Sequence, residues 1–251
     1  AGAVAFAVAT NGTTGEVYLA QYLSLKHSDI NVHDESTLEP NDVFGLSAGA
    51  VNVTVTYTDG DNDKATSTPA DISTLVRFQD DGPTITANTN AAAAVTHDET
   101  PGVQADTDVA GTAIAFGATQ IQQLFDTEVP SQGDDLNVPG AGPIGFARSV
   151  SGLVTVTAGS AGADGPAAAQ LSYKLHTTDS TDSGVDTTEG VNIFLFNGTG
   201  AAQDLILGRV GATAGAAATG VVAFALAANP ANGEVFLTQY LSLAHPNPAL
   251  P

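Results

Sequence analysis

Carboxylates crowd several short stretches of this chain, and the densest is Asp59-Gly60-Asp61-Asn62-Asp63, with an acid at every second position. Hard oxygen donors at that spacing suit a calcium ion, and the opening of an EF-hand loop uses the same alternation. The match then stops. Lys64 stands where that loop needs Gly, and Ala70 where it needs a bidentate Glu, so the stretch is not an EF-hand. It reads either as a polar hairpin tip or as a calcium site on a β-turn. Gln79-Asp80-Asp81-Gly82-Pro83 forms a second cluster. Two adjacent acids ahead of Gly-Pro end a strand and stiffen a junction, because Pro fixes its own φ and holds its predecessor extended. A cation there would bridge two modules and limit their hinge. Asp98 with Glu99, Asp164 in a Gly-Ala-Asp-Gly stretch, and Glu189 ahead of a strand complete the candidate metal ligands. Asp98 and Glu99 follow the junction closely enough for a returning strand to set them beside Asp80 and Asp81. Asp134, Asp135, Asp179, Asp182 and Asp186 lie in Gly/Ser/Thr-rich loops and read as solvation.

No other chemistry is grouped in this way. The chain has no cysteine, which removes disulfides, thiolate catalysis and Cys-ligated zinc together. It carries no Walker loop, no GxGxxG behind a strand, no GxSxG elbow and no HExxH. An enzyme is therefore not expected, and a hydrolase built on paired carboxylates is the distant alternative. Six Lys+Arg face 27 Asp+Glu, a formal net charge of -21. So acidic a surface repels phosphate backbones and anionic headgroups, which argues against nucleic acid and membrane surfaces as partners. The same surplus also serves solubility or adaptation to salt. No apolar run reaches the roughly 18 residues of a membrane-spanning helix.

The elements that must carry these acids read as strands. Val51, Val53, Val55 and Tyr57 alternate with Asn52, Thr54, Thr56 and Thr58, a period of two that buries one face and wets the other. Leu153 to Val156 and Ile193 to Phe196 read as further strands, and Ala118 to Phe125 as a short helix. If Lys64 to Gln79 is one strand, it spans roughly 50 Å at about 3.3 Å per residue, so Asp63 and Asp80 would not share an ion. Strands and turns recur without intervening helices. The expected fold is therefore all-β, an antiparallel β-sandwich rather than an α/β architecture.

An internal repeat organises the rest. Residues 4–25 (VAFAVATNGTTGEVYLAQYLSL) and 222–243 (VAFALAANPANGEVFLTQYLSL) align without gaps at an offset of 218, with 15 of 22 positions identical. His27 and His245 also correspond, which marks them as structural. Each copy reads as a β-hairpin whose turn ends at Gly15 or Gly233, the position expected at positive φ. The opening AGAVAFAVA thus belongs to the fold, although it resembles a signal-peptide core. A 218-residue period in a chain of 251 residues predicts two pieces. Residues 1–82 are the C-terminal part of one repeat module. Residues 83–251 are the following module, truncated at its C-terminal end. The chain is accordingly expected to be a fragment. Residues 1–82 either fold alone or complete another module through exposed edge strands.

The segment from Phe6 to Pro83 resembles the second half of a cadherin-like domain, with a Phe strand, a turn into Gly-Glu-Val, the VNVTVTYTDGD strand and a closing acidic-Pro motif. TYTDGDND, FQDDGPTI, GADG and GEVFLTQYLSLAHP together resemble the tandem repeats of giant RTX adhesins exported by bacterial type I secretion, although the RTX nonapeptide itself is missing. The resemblance implies Ig-like/cadherin-like sandwich modules in tandem and a secreted protein at the bacterial cell surface. It implies a biofilm extender whose modules bind calcium near their junctions, with ligands at Asp80 and Asp81 and at Asp59, Asp61 and Asp63. Gln79, where such linkers commonly carry another acid, and Asn62 depart from the pattern. Neighbouring repeats of the same chain are the expected partners, with other cell-surface molecules as further ones. A module that grips a glycan or a surface protein is the alternative, against which the low aromatic content of 6% counts.

Overall fold

The structure is a computed structural model that describes residues 2–26, 44–79, 82–100, 102–136, 142–162, 165–168 and 170–245. Strands dominate and their ladders pair antiparallel, which makes the fold all-β as the patterning predicts. Among the described residues no helix is long and apolar enough to cross a membrane. The chain forms two compact units, Ala1–Thr86 with Ala158–Ala168, and Ala87–Thr157 with Ala169–Pro251.

In the first unit, Phe6–Thr10 pairs with Val17–Gln21 as the first copy of the repeated hairpin. Asn11 shapes its turn. The Asn11 carbonyl accepts from Gly15 N at 2.9 Å, and its side-chain Oδ1 accepts from Thr13 N at 2.9 Å, while Gly15 sits at φ +76°. A second, longer hairpin is built from nested pairs. Phe44–Gly45 meets Arg77–Phe78, Asn52–Val53 meets Ala70–Asp71, and Thr56–Thr58 meets Lys64–Thr66. The return leg from Lys64 to Gln79 is not one strand. A 3₁₀ turn at Ser73–Leu75 interrupts it, because the Asp71 carboxylate accepts Ser73 N at 2.9 Å and Gly49 N at 2.8 Å and so curls the backbone away from the ladder. The alternating apolar face is also left open at its far end, where Val55 and Tyr57 are exposed, since a two-stranded ribbon offers no second layer to cover them.

A seven-stranded sheet forms the second unit. Its order is Asp108–Val109, Gly145–Arg148, Val235–Gln239, Val222–Ala228, Leu205–Val210, Asn192–Asn197 and Thr181–Asp186. The second copy of the repeated hairpin, Val222–Ala228 with Val235–Gln239, supplies its centre. Ile121–Glu128 is the one-sided helix that the sequence signals a few residues earlier. It lays Ile121, Leu124 and Phe125 against Leu205, Leu207, Val222, Ala225, Phe236 and Tyr240 of the sheet. The core of the unit therefore lies between the sheet and the layer made by this helix and the short pair Ile114–Phe116 and Thr119–Gln120.

Candidate metal centre

The tip of the long hairpin in the first unit is the turn Asp59–Asp63, held between the paired Thr58 and Lys64. Asp59 organises it. Its backbone N–H donates to the Asp63 carbonyl at 3.0 Å, and its carboxylate Oδ1 accepts from Asp63 N at 2.8 Å and Asp61 N at 3.3 Å. The chain reverses through Asn62 at φ +74°, a left-handed conformation that asparagine tolerates better than most residues. The result turns three carboxylates toward one another. One oxygen from each of Asp59, Asp61 and Asp63 lies within 4.8 Å of the others, all three exposed to solvent.

The Asp61 side chain, which steadies the Asp59 carboxylate when the proton between them sits on Asp61, and then the backbone N–H of Asp63 hold the Asp59 carboxyl below the usual carboxylate range. Asp59 therefore stays ionised well into mild acid. Three acids at this separation repel one another, and a cation among them relieves that repulsion. The group can bind a metal ion. Its ligands are all oxygens, the donor set of hard cations such as calcium, magnesium and manganese, and a calcium ion would draw the rest of its six to eight donors from carbonyls and water.

The remaining sequence candidates stand apart. Asp80, Asp81 and Asp164 lie outside the described residues. Asp98 caps its own turn by accepting Thr100 N at 2.8 Å, and the Thr100 side chain and backbone hold its carboxyl below the usual range. Glu99 fastens the end of the second hairpin, accepting the Gln239 side-chain N–H and Leu243 N at 2.9 Å through the same Oε1. Glu189 sits exposed on the tight turn between Thr181–Asp186 and Asn192–Asn197. Among the described residues, none of these three joins a group of acids close enough to share an ion.

Two polar roles escape the sequence reading. His97 Nδ1 lies 2.8 Å from Asp108 Oδ1, with both side chains almost wholly buried. The imidazole packs over Gly145, where a Cβ would meet the ring at 2.3 Å, so glycine is required there. His97 Nε2 and Asp108 Oδ2 have no hydrogen-bond partner. Asp135, read as solvation, accepts Ser242 N at 2.9 Å and so ties a loop to the segment that follows the second hairpin. Both contacts join residues that no local pattern relates.

A family model described as a domain of unknown function, DUF5801, matches residues 1–73 and 94–251. The chain belongs to that family. No curated protein and no solved structure matches it.

Proposed function

We propose that this chain is a non-enzymatic extender of a secreted bacterial cell-surface adhesin, part of a biofilm protein of the RTX type exported by type I secretion. In this reading its tandem sandwich modules space an adhesive end away from the cell, and calcium at the acidic strand ends stiffens them. The observation that carries the reading is the trio Asp59, Asp61 and Asp63, whose carboxylate oxygens converge within 4.8 Å on an exposed hairpin tip. The 218-residue repeat and the net charge of -21 support it, because a repeated acidic module suits an array whose joints take up cations. Calcium is favoured over magnesium because it accepts irregular oxygen cages, whereas magnesium demands near-ideal octahedra and keeps its water. Asp80 and Asp81, ahead of Pro83, are the second proposed site, at the joint between modules.

Calcium titration of the full chain by calorimetry tests this, alongside melting and small-angle scattering with and without chelator. Calcium should bind at least about tenfold more weakly to the D59N/D61N/D63N variant, a loss of about 1.4 kcal/mol in binding free energy. Chelator should loosen the scattering profile before it melts the cores. Equal calcium affinity in the wild type and the triple variant, or identical scattering with and without chelator, would defeat the mechanism.

One feature supports the second reading, a glycan-binding module. A groove of about 260 Å³ in the second unit is lined by Phe116, Tyr173, Lys174 and Asp204, with the Lys174 ammonium 3.2 Å from the Asp204 carboxylate. An aromatic face beside an exposed ion pair can stack and hydrogen-bond a sugar. Specific retention on a glycan array that Tyr173→Ala abolishes would favour it.

A further inference from the structure

The repeated hairpin is seated in one unit and open in the other. In the second unit Val222–Ala228 pairs along its outer edge with Leu205–Val210, from Ala227 opposite Leu205 to Val222 opposite Arg209. Val235–Gln239 pairs along its outer edge with Gly145–Arg148, from Gln239 opposite Gly145 to Phe236 opposite Arg148. The helix Ile121–Glu128 covers the face, and Phe236 and Tyr240 are fully buried beneath it. In the first unit, Phe6–Thr10 and Val17–Gln21 pair only with each other among the described residues. Tyr18 and Tyr22, the counterparts of Phe236 and Tyr240, are 56% and 64% exposed against 0% for both of those. Val17, Leu19 and Leu23 are exposed beside them.

Such an edge is normally blunted by lysine, proline or a bulge. FAVAT and VYLAQ carry none of these, and the ladder between them runs without a register shift. An unguarded edge with large apolar side chains is built to be covered.

We propose that the hairpin Phe6–Gln21 is a docking element for a neighbouring copy of the same repeat unit, whose counterparts of Gly145–Arg148 and Leu205–Val210 clamp its two edges. The second hairpin shows both the partner and the register. Its two strands carry the same spacing, the same cross-strand pairs and mostly the same residues, and they fill the centre of that sheet. The sheet in this chain already holds Val222–Gln239, so the sheet that receives Phe6–Gln21 belongs to another copy. Phe6–Gln21 would then fill in that copy's sheet the place that Val222–Gln239 fills here, with backbone hydrogen bonds supplying affinity and the positions matching the buried Val235, Phe236 and Tyr240 supplying register. This linkage needs no cation and is separate from the proposed calcium site.

The test adds residues 87–218 of this sequence directly ahead of Ala1 of the full 251-residue chain, which reproduces the 218-residue spacing. Hydrogen exchange is then read on both proteins. In the extended chain the amides of 6–10 and 17–22 should slow by at least about a hundredfold relative to the 251-residue chain, with or without chelator. Ala7→Lys should reverse that gain while leaving the 251-residue chain unchanged, because Ala7 is exposed there whereas its counterpart Ala225 is wholly buried. Three results overturn the proposal. The first is fast exchange at 6–22 in the extended chain while 222–239 stays protected. The second is an added segment whose copy of Ile121–Glu128 remains unfolded beside the hairpin. The third is protection of 6–22 that already exists in the 251-residue chain and rises with its concentration, which would make the whole chain its own partner.

Discussion

Two stretches of nearly identical sequence meet opposite fates in this chain. The hairpins at 4–25 and 222–243 share their register to the residue, Phe6 opposite Gln21 in one and Phe224 opposite Gln239 in the other. They share their turn bonds as well, Gly15 N to Asn11 O and Gly233 N to Asn229 O, both at 2.9 Å. Gly15 and Gly233 take φ values of +76° and +72°. Even the exit is the same, with Tyr22 N reaching Ala5 O at 2.8 Å and Tyr240 N reaching Ala223 O at 2.7 Å. The shared local sequence therefore sets the same register and turn in two different surroundings. Burial is another matter, because it is granted by the strands and helix alongside. The same residue types form a core in one unit and a surface in the other.

Truncating matched aromatics should separate the two hairpins most. Phe236→Ala should cost the second unit about 3–5 kcal/mol, as for a fully buried Phe. Tyr18→Ala, at the matching position, should stay within about 0.5 kcal/mol. Denaturant unfolding followed by unit-resolved hydrogen exchange separates the two, and equal losses would mean that the first hairpin is covered in solution. A smaller difference is expected at the turns. Alanine at Gly15 meets only the strain of positive φ, about 1 kcal/mol, because open space surrounds its Cβ. Alanine at Gly233 meets the same strain and also the Tyr173 ring at 2.8 Å, so its melting temperature should fall further. The smallest effect at neutral pH belongs to Tyr240→Phe. The Tyr240 hydroxyl is buried without a partner, so its removal should leave stability unchanged or raise it by up to about 1 kcal/mol. Burial pushes the phenol above its ordinary value of 10.0. The neutral form is then favoured by folding, so the stability tied to it is complete below about pH 10 and drains away as pH rises beyond that. Tyr240→Phe should flatten this alkaline limb in a pH series of unfolding curves.

What could be read from the residues alone was whatever depends on near neighbours. The repeat, both hairpins, the positive φ at Gly15 and Gly233, and the convergence of Asp59, Asp61 and Asp63 all follow from spacing within a few residues. The helix is foreshadowed by Ala118 to Phe125 and occupies Ile121–Glu128. Contacts across long stretches of chain were not legible. Glu99 reads as a metal ligand because it is acidic and adjacent to Asp98, yet its partners are Gln239 and Leu243, some 140 residues away. The burial of His97 with Asp108 leaves no local trace, since nothing in the intervening loop requires the two to meet. The alternation from Val51 to Tyr57 does describe a strand face, but alternation cannot say whether a second layer exists to cover it.

The two hairpins differ most in their turns, Gly12-Thr13-Thr14 in one and Pro230-Ala231-Asn232 in the other. Among the described residues, only the second turn is gripped from outside. Tyr173 N donates to Pro230 O at 3.0 Å, Leu153 N donates to Gly233 O at 3.2 Å, and a side chain at Gly152 would collide with Asn232 O at 2.6 Å. The strands keep one register in both copies, which leaves the loop at their tip to carry contacts of its own. Because those contacts lie outside the ladder, the tip can change between copies without shifting a single cross-strand pair.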